Sequence, residues 1–91
     1  MNQIFSGFEK LILDEKFSED EIIIIKWQYG YFGSFYKKII EAYRCADAGN
    51  KAAIEKGFPE LVRAMERFDK EEGFFEYVER KAETYELNPQ R

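Results

Sequence analysis

Apolar residues recur every three or four positions along most of this chain, and short polar or glycine-bearing breaks cut the recurrence into helix-length pieces. Ser6 with Glu9 three residues on fits a capping box, in which each side chain satisfies the other's free backbone donor. Phe8, Leu11 and Ile12, with Leu13 beside them, give the following helix an apolar face that ends at Asp14-Glu15-Lys16. Ile4 and Phe5 are placed to pack back on its first turn as a staple. A second box, Ser18 with Glu21, opens the next helix, and Glu19, Asp20 and Glu21 suit the positive end of its dipole. Residues 22–25 are four isoleucines, whose β-branching favours a strand. Helix is the better reading, because the cap immediately precedes them and a lone strand has no partner elsewhere. Trp27 lies about one turn beyond Ile23 and Ile24, on the buried side.

The stretch Trp27-Gln28-Tyr29-Gly30-Tyr31-Phe32-Gly33-Ser34-Phe35-Tyr36 holds six aromatics in ten residues, broken by two glycines. Gly30 fits a helix C-cap with positive φ, and Gly33-Ser34 the start of the next helix. One kinked helix is the alternative, and the break is favoured. Residues 34–47 then read as the most amphipathic helix. Phe35, Ile39 and Tyr43 form one row and Tyr36 and Ile40 the adjacent one. Lys37, Lys38, Glu41 and Arg44 lie outside them, and Ala42 and Ala46 let another helix pack closely. On this pattern Trp27→Ala and Phe35→Ala are each expected to cost ~3–5 kcal/mol.

Ala48-Gly49-Asn50 reads as a turn, with Asn50 capping a short helix over residues 51–56 that ends at Gly57. Phe58-Pro59 starts another helix, since proline is tolerated where no N–H is required. Leu61, Val62, Met65 and Phe68 form its inner face, and Arg63, Glu66, Arg67 and Lys70 its solvent side. Beyond Gly73, a last helix over residues 74–85 carries Phe74, Val78 and Ala82 on one row, with Phe75, Tyr77 and Tyr85 beside them. Glu76 and Glu79 lie within reach of Arg80 and Lys81, as surface pairs worth only ~0.3–0.5 kcal/mol each. Asn88-Pro89 stops further helix, and residues 87–91 are expected to fray. The expected fold is all-α: one domain over residues 1–91, a compact bundle of five or six short helices with no sheet.

Composition changes this picture little. A chain of 91 residues must pack large side chains densely to be stable, and nine Phe, six Tyr and one Trp supply the bulk. The net charge of −4 argues against a nucleic-acid binder. That charge is uneven. Residues 1–25 hold six acids and two bases, residues 26–58 three acids and six bases, and residues 59–91 nine acids and six bases. A single cysteine, Cys45, rules out an internal disulfide and points to a reducing compartment. No basic region precedes a long apolar run, and residues 22–27 are too few to span a bilayer, so the cytoplasm is the expected location and no membrane a partner.

Candidate chemistry is sparse. The chain has no histidine, which removes the usual general base and the commonest metal ligand. One cysteine excludes Cys-rich zinc or iron–sulfur sites, and nothing matches a phosphate-binding glycine loop. Glu66, Asp69 and Glu72, and likewise Glu72, Glu76 and Glu79, share helix faces that read better as exposed acidic surface than as a catalytic or metal site. Asp47 with Asn50 reads as a turn, and Cys45 beside Arg44 as a packed thiol. No enzyme, metal or cofactor is expected.

Binding is the stronger class. Eighteen per cent aromatic residues is more than a small domain easily hides, so some of Trp27, Tyr29, Tyr31, Tyr36, Tyr77 and Tyr85 are expected at the surface as an interface. A homodimer through an aromatic face is the simplest such interface. The rival is a nucleic-acid surface over residues 31–44, where Tyr31, Tyr36, Lys37, Lys38 and Arg44 interleave rings and positive charge. Against it stand the acidic total and Phe35, Ile39 and Tyr43, which explain the same segment as core.

The succession Trp27-Gln28-Tyr29, Gly33-Ser34-Phe35, Ala46-Asp47, Asn50 and Gly57-Phe58-Pro59-Glu60-Leu61-Val62 resembles small uncharacterised helical proteins encoded by phages and prophages of bacteria. The resemblance covers residues 27–75, and the Ala-Asp…Asn…Gly-Phe-Pro-Glu spacing is its most specific part. It implies a setting rather than a mechanism: an adaptor or modulator that binds a host or phage protein, or an acidic mimic of nucleic acid that occupies a host protein's groove.

Overall fold

The computed structural model describes residues 7–89, with side chains from Glu9 onward. Six helices follow one another: α1 (Gly7–Lys16), α2 (Glu19–Gln28), α3 (Ser34–Cys45), α4 (Ala48–Gly57), α5 (Pro59–Lys70) and α6 (Phe74–Thr84). Among the described residues there is no strand, so the fold is all-α, as the sequence pattern predicts. The cap expected at Ser6 and the staple at Ile4 and Phe5 lie outside the described residues.

Helix α2 is the centre. Its four consecutive isoleucines are spread almost around the whole circumference at about 100° per residue, and a helix apolar all round needs neighbours on every side. It finds them in α5 and α6. Ile24 and Ile25 are fully buried, while Ile22 and Ile23 are half-buried. The surrounding packing, not β-propensity, decides the conformation of this run. The core forms two clusters. One gathers Leu13, Phe17, Ile24, Ile25, Tyr29, Ala64, Phe74, Val78, Ala82 and Leu87; the other gathers Ile40, Tyr43, Leu61, Val62 and Met65. Ile23 and Trp27 pack against both.

Both ends of α2 are closed by local hydrogen bonds. The Glu21 N–H donates to Ser18 Oγ at 3.2 Å and the Ser18 N–H to the Glu21 carboxylate at 2.9 Å, a complete capping box. At the other end Gly30 takes φ 84°, and the N–H groups of Tyr31 and Phe32 both reach the Lys26 carbonyl at 2.8 Å. A side chain at that φ would strain the backbone, which is why glycine stands there and the chain breaks rather than kinks.

The acids of the first turn also join α2 to its neighbours. Asp20 accepts from Arg63 Nε at 2.9 Å and Arg67 Nη1 at 3.2 Å, and Glu21 accepts from Lys81 Nζ at 3.0 Å. Asp20 and Glu21 are each only 8% exposed, so their charges require these partners. The Arg67 guanidinium also forks onto Glu71 at 2.8 and 3.0 Å and lies 3.9 Å over the Phe74 ring. Arg63 and Arg67 therefore fold back onto α2 instead of lining a free solvent side. Lys81 crosses to Glu21 instead of pairing with Glu76 or Glu79, because a buried acid gains more from it than an exposed one.

Four local expectations are corrected. On α1 the buried residue is Leu13, while Leu11 is 56% exposed; the apolar face runs through Ile12, Leu13 and Phe17, toward α2. Helix α4 begins at Ala48, because Asp47, not Asn50, is the cap and accepts from the Asn50 N–H at 2.9 Å. Phe35 is 58% exposed, so it is no core residue; on α3 the buried positions are Ile40 and Tyr43, one turn and more further along, where α4 and α5 cover the helix. The tail does not fray at residue 87. Glu86 adopts φ 62°, the Leu87 N–H reaches the Ala82 carbonyl at 2.9 Å, and the Leu87 side chain enters the first cluster.

Candidate functional site

The turn after α2 places Phe32 against the second cluster and starts α3 at Ser34, so Phe35 and Tyr36 stand in its first turn. The joint between α4 and α5 does the same for Phe58. It is at once the last cap of α4 and the first of α5, held by Pro59 at the helix start. The four rings meet. Phe32 stacks on Tyr36 at 5.0 Å and 27°, Phe35 is edge-on to Tyr36 at 5.2 Å, and Phe58 lies 6.0 Å from Phe35 and 6.2 Å from Tyr36. Phe35 and Tyr36 (41% exposed) hold this cluster at the surface.

Beside the rings is a cleft of about 400 Å³. Phe32, Tyr36 and Phe58 border it, Ile23 and Leu61 are its more buried lining, and Lys26 and Glu60 are its charged groups. Aromatic rings, aliphatic lining and one charge of each sign can grip an apolar side chain and orient its neighbours. Among the described residues no group of three or more His, Cys, Asp or Glu is arranged to hold a metal.

The six aromatics expected at an interface are dispersed. Trp27 is half-buried, 4.8 Å from Phe68 with the Arg44 guanidinium 5.0 Å over its ring. Tyr29 is buried in the first cluster, a correction to its expected place at the surface: it lies on the α2 turn that faces α6. Burial, then Glu79 and Glu83, raises its pKa. The Tyr31 hydroxyl donates to the Asn88 carbonyl at 3.0 Å, its pKa raised by burial and then by Glu9. Tyr85 is half-buried, edge-on to Phe17 at 5.8 Å. Tyr77 is exposed on α6, and Tyr36 alone borders the cleft.

The segment 31–44 is dispersed too. Arg44 pairs with Asp69 at 2.8 Å, so of the rings and cations expected to interleave there Tyr36, Lys37 and Lys38 stand exposed and outside any ion pair among the described residues. Tyr43 is core: its hydroxyl donates to Glu66 at 3.1 Å, and burial followed by this bond raises its pKa. Cys45 is exposed, and its thiol donates to the Ala42 carbonyl at 3.6 Å. It borders a second shallow groove of small residues between α3 and α4.

Phe32, Phe35 and Phe58 are the site residues that sequence periodicity missed. Phe35 shares a row with Ile39 and Tyr43, and periodicity assigns rows to the core without showing where the covering helices stop. The Gly57-Phe58-Pro59 joint carried a usable signal, because it sets a large ring where two helix ends meet, half-buried against the second cluster. No helix of the described residues is long and apolar enough to cross a membrane. Comparison with family models, with curated proteins and with solved structures finds no match to this chain.

Proposed function

We propose that this protein is a non-enzymatic binding module, an adaptor or modulator in the cytoplasm, that holds a segment of another protein in the Phe32–Tyr36–Phe58 cleft. The observation that carries this reading is the exposure of Phe35 and Tyr36 in a joined cluster of four rings at the mouth of an apolar cleft. Aromatics grouped in this way supply contact area with few rotors to immobilise, and such clusters form the energetic centres of protein interfaces.

Pull-downs from nuclease-treated bacterial lysate with the wild type, Phe35→Ala and Leu11→Ala test it. A stoichiometric protein is expected with the wild type and Leu11→Ala, and lost with Phe35→Ala while its melting temperature holds. Equal recovery with all three overturns the assignment of the cleft. Light scattering of the purified protein showing a dimer that Phe35→Ala dissolves replaces the foreign partner by a second copy.

A further inference from the structure

We infer that the occupant of the cleft is an acidic peptide segment anchored by a large apolar side chain; this rests on the reading of the cleft as a protein-binding site. Three features of charge point the same way. Lys26 lines the cleft, Lys37 follows Tyr36 in the chain, and Lys56 precedes Gly57, another lining residue. Among the described residues none of the three makes an ion pair, whereas the cations that join helices, Arg44, Arg63, Arg67 and Lys81, are all engaged.

Two helix starts also border the cleft. Tyr36 lies in the first turn of α3, and Phe58, Glu60 and Leu61 are the cap and first turn of α5; neither helix has a side-chain cap. Ser18 and Asp47 provide one for α2 and α4, while α6, away from the cleft, also starts without one at Gly73. Both starts add partial positive charge to that of the lysines, with fewer N–H donors at α5, where Pro59 has none and Glu60 stands in the first turn. The rest of the chain supplies the contrast. Residues 26–58 carry six bases and three acids within a protein of net charge −4, so an acidic segment is repelled elsewhere and steered here. The single acid of the lining, Glu60, opposes this attraction and sets its expected sign under mutation.

The rings argue for an apolar anchor in preference to a stacked base. Tyr36, the exposed ring of the cleft lining, has one face already taken by Phe32 at 5.0 Å. Stacking of nucleic-acid bases needs free ring faces. The apolar lining, by contrast, is open to a leucine, phenylalanine or tryptophan side chain.

The test is selection of random displayed peptides of about 15 residues, long enough to form a bound helix, on the immobilised full chain and on Tyr36→Ala. The expected outcome is enrichment on the wild type alone of net-negative peptides with one or two large apolar residues. Synthesised, these should lose about tenfold in affinity on Lys26→Gln. They should also bind more weakly as salt rises and more tightly to Glu60→Gln. Thermal melts of the variants check that the fold is kept. Enriched peptides that are neutral or basic yet depend on Tyr36 overturn the inference and leave the protein-binding reading standing. Peptides indifferent to Tyr36→Ala overturn both. A single-stranded oligonucleotide that binds at low salt, depends on Lys26 and displaces the peptides also overturns the assignment.

Discussion

Phe35 and Trp27 come from the same aromatic stretch and differ in what covers them. Trp27 is wedged between the two clusters, against Phe68 and under Arg44. Phe35 is 58% exposed and its ring neighbours are Tyr36, itself exposed, and the half-buried Phe58. Trp27→Ala is therefore expected to cost about 3 kcal/mol, the low end for a large aromatic because the ring is half-buried. Phe35→Ala should cost less than about 1 kcal/mol, the loss of ring–ring contact alone. Urea titrations of the two variants check this, and equal losses would return Phe35 to the core. The buried tyrosines make a second prediction at this scale. Tyr29 and Tyr43 have folded pKa values raised above 10.0, so above that pH the unfolded chain releases protons that the folded chain keeps. Their contribution is complete below pH 10.0 and is lost as pH rises through the folded values. Tyr29→Phe keeps the ring and removes the titrating hydroxyl. It should leave neutral-pH stability within about 0.5 kcal/mol of wild type and flatten the alkaline decline, as urea midpoints on both sides of that pH will report.

The elements show which local signals survive contact with their neighbours. The Ser18–Glu21 box, Gly30 and Pro59 are read correctly because each acts through backbone bonds within a few residues. The start of α2 is legible for the same reason, because its cap marks it in the sequence, although it is the packing against α5 and α6 that holds the β-branched run as helix. What was not legible is which turn of an amphipathic helix its neighbours reach. Leu11 and Phe35 sit on sound apolar rows near helix starts, and both are exposed. Long-range pairs were also hidden. Nothing local says that Arg63 and Arg67 turn back to Asp20, or that Lys81 finds Glu21. The cleft shares this origin, because it is assembled from α2, two turns and the first turns of α3 and α5. Two glycines separate backbone need from mere presence. Gly73 has φ 84°, where any side chain is strained, while Gly57 ends α4 with open space where the methyl group of an alanine would stand. Gly73→Ala should destabilise by about 1 kcal/mol, and Gly57→Ala should stabilise by about 0.5 kcal/mol through the unfolded chain. Thermal melts give both signs, and a stabilising Gly73→Ala would contradict the left-handed turn.

At the scale of the molecule the question is whether two clusters make one folding unit. Each has its own buried residues, and they are fed by different helices: α1, α6 and the tail on one side, α3 and α4 on the other. They share α2 and α5, and Ile23 and Trp27 touch both. A cluster that lost its neighbour would expose these shared side chains, and loss of α6 with the first cluster would also leave Glu21 without Lys81. Separate unfolding is thus penalised from both sides, and a single cooperative transition is expected. Trp27, the one tryptophan, lies at the junction and reports on it by fluorescence, while circular dichroism reports on all six helices. The two signals should give the same urea midpoint. Leu87→Ala empties a site in the first cluster and Met65→Ala one in the second, and each is expected to cost about 2–4 kcal/mol. Each should move the whole transition by both probes. If Leu87→Ala moved only part of the circular dichroism signal and left the Trp27 midpoint in place, the first cluster would be a separable unit. The cleft, which draws Ile23 and Lys26 from α2 and Leu61 from α5, would then survive its loss. In a single unit, binding at the cleft stabilises both clusters together, so a cleft ligand should raise the melting temperature of Leu87→Ala as well as that of the wild type.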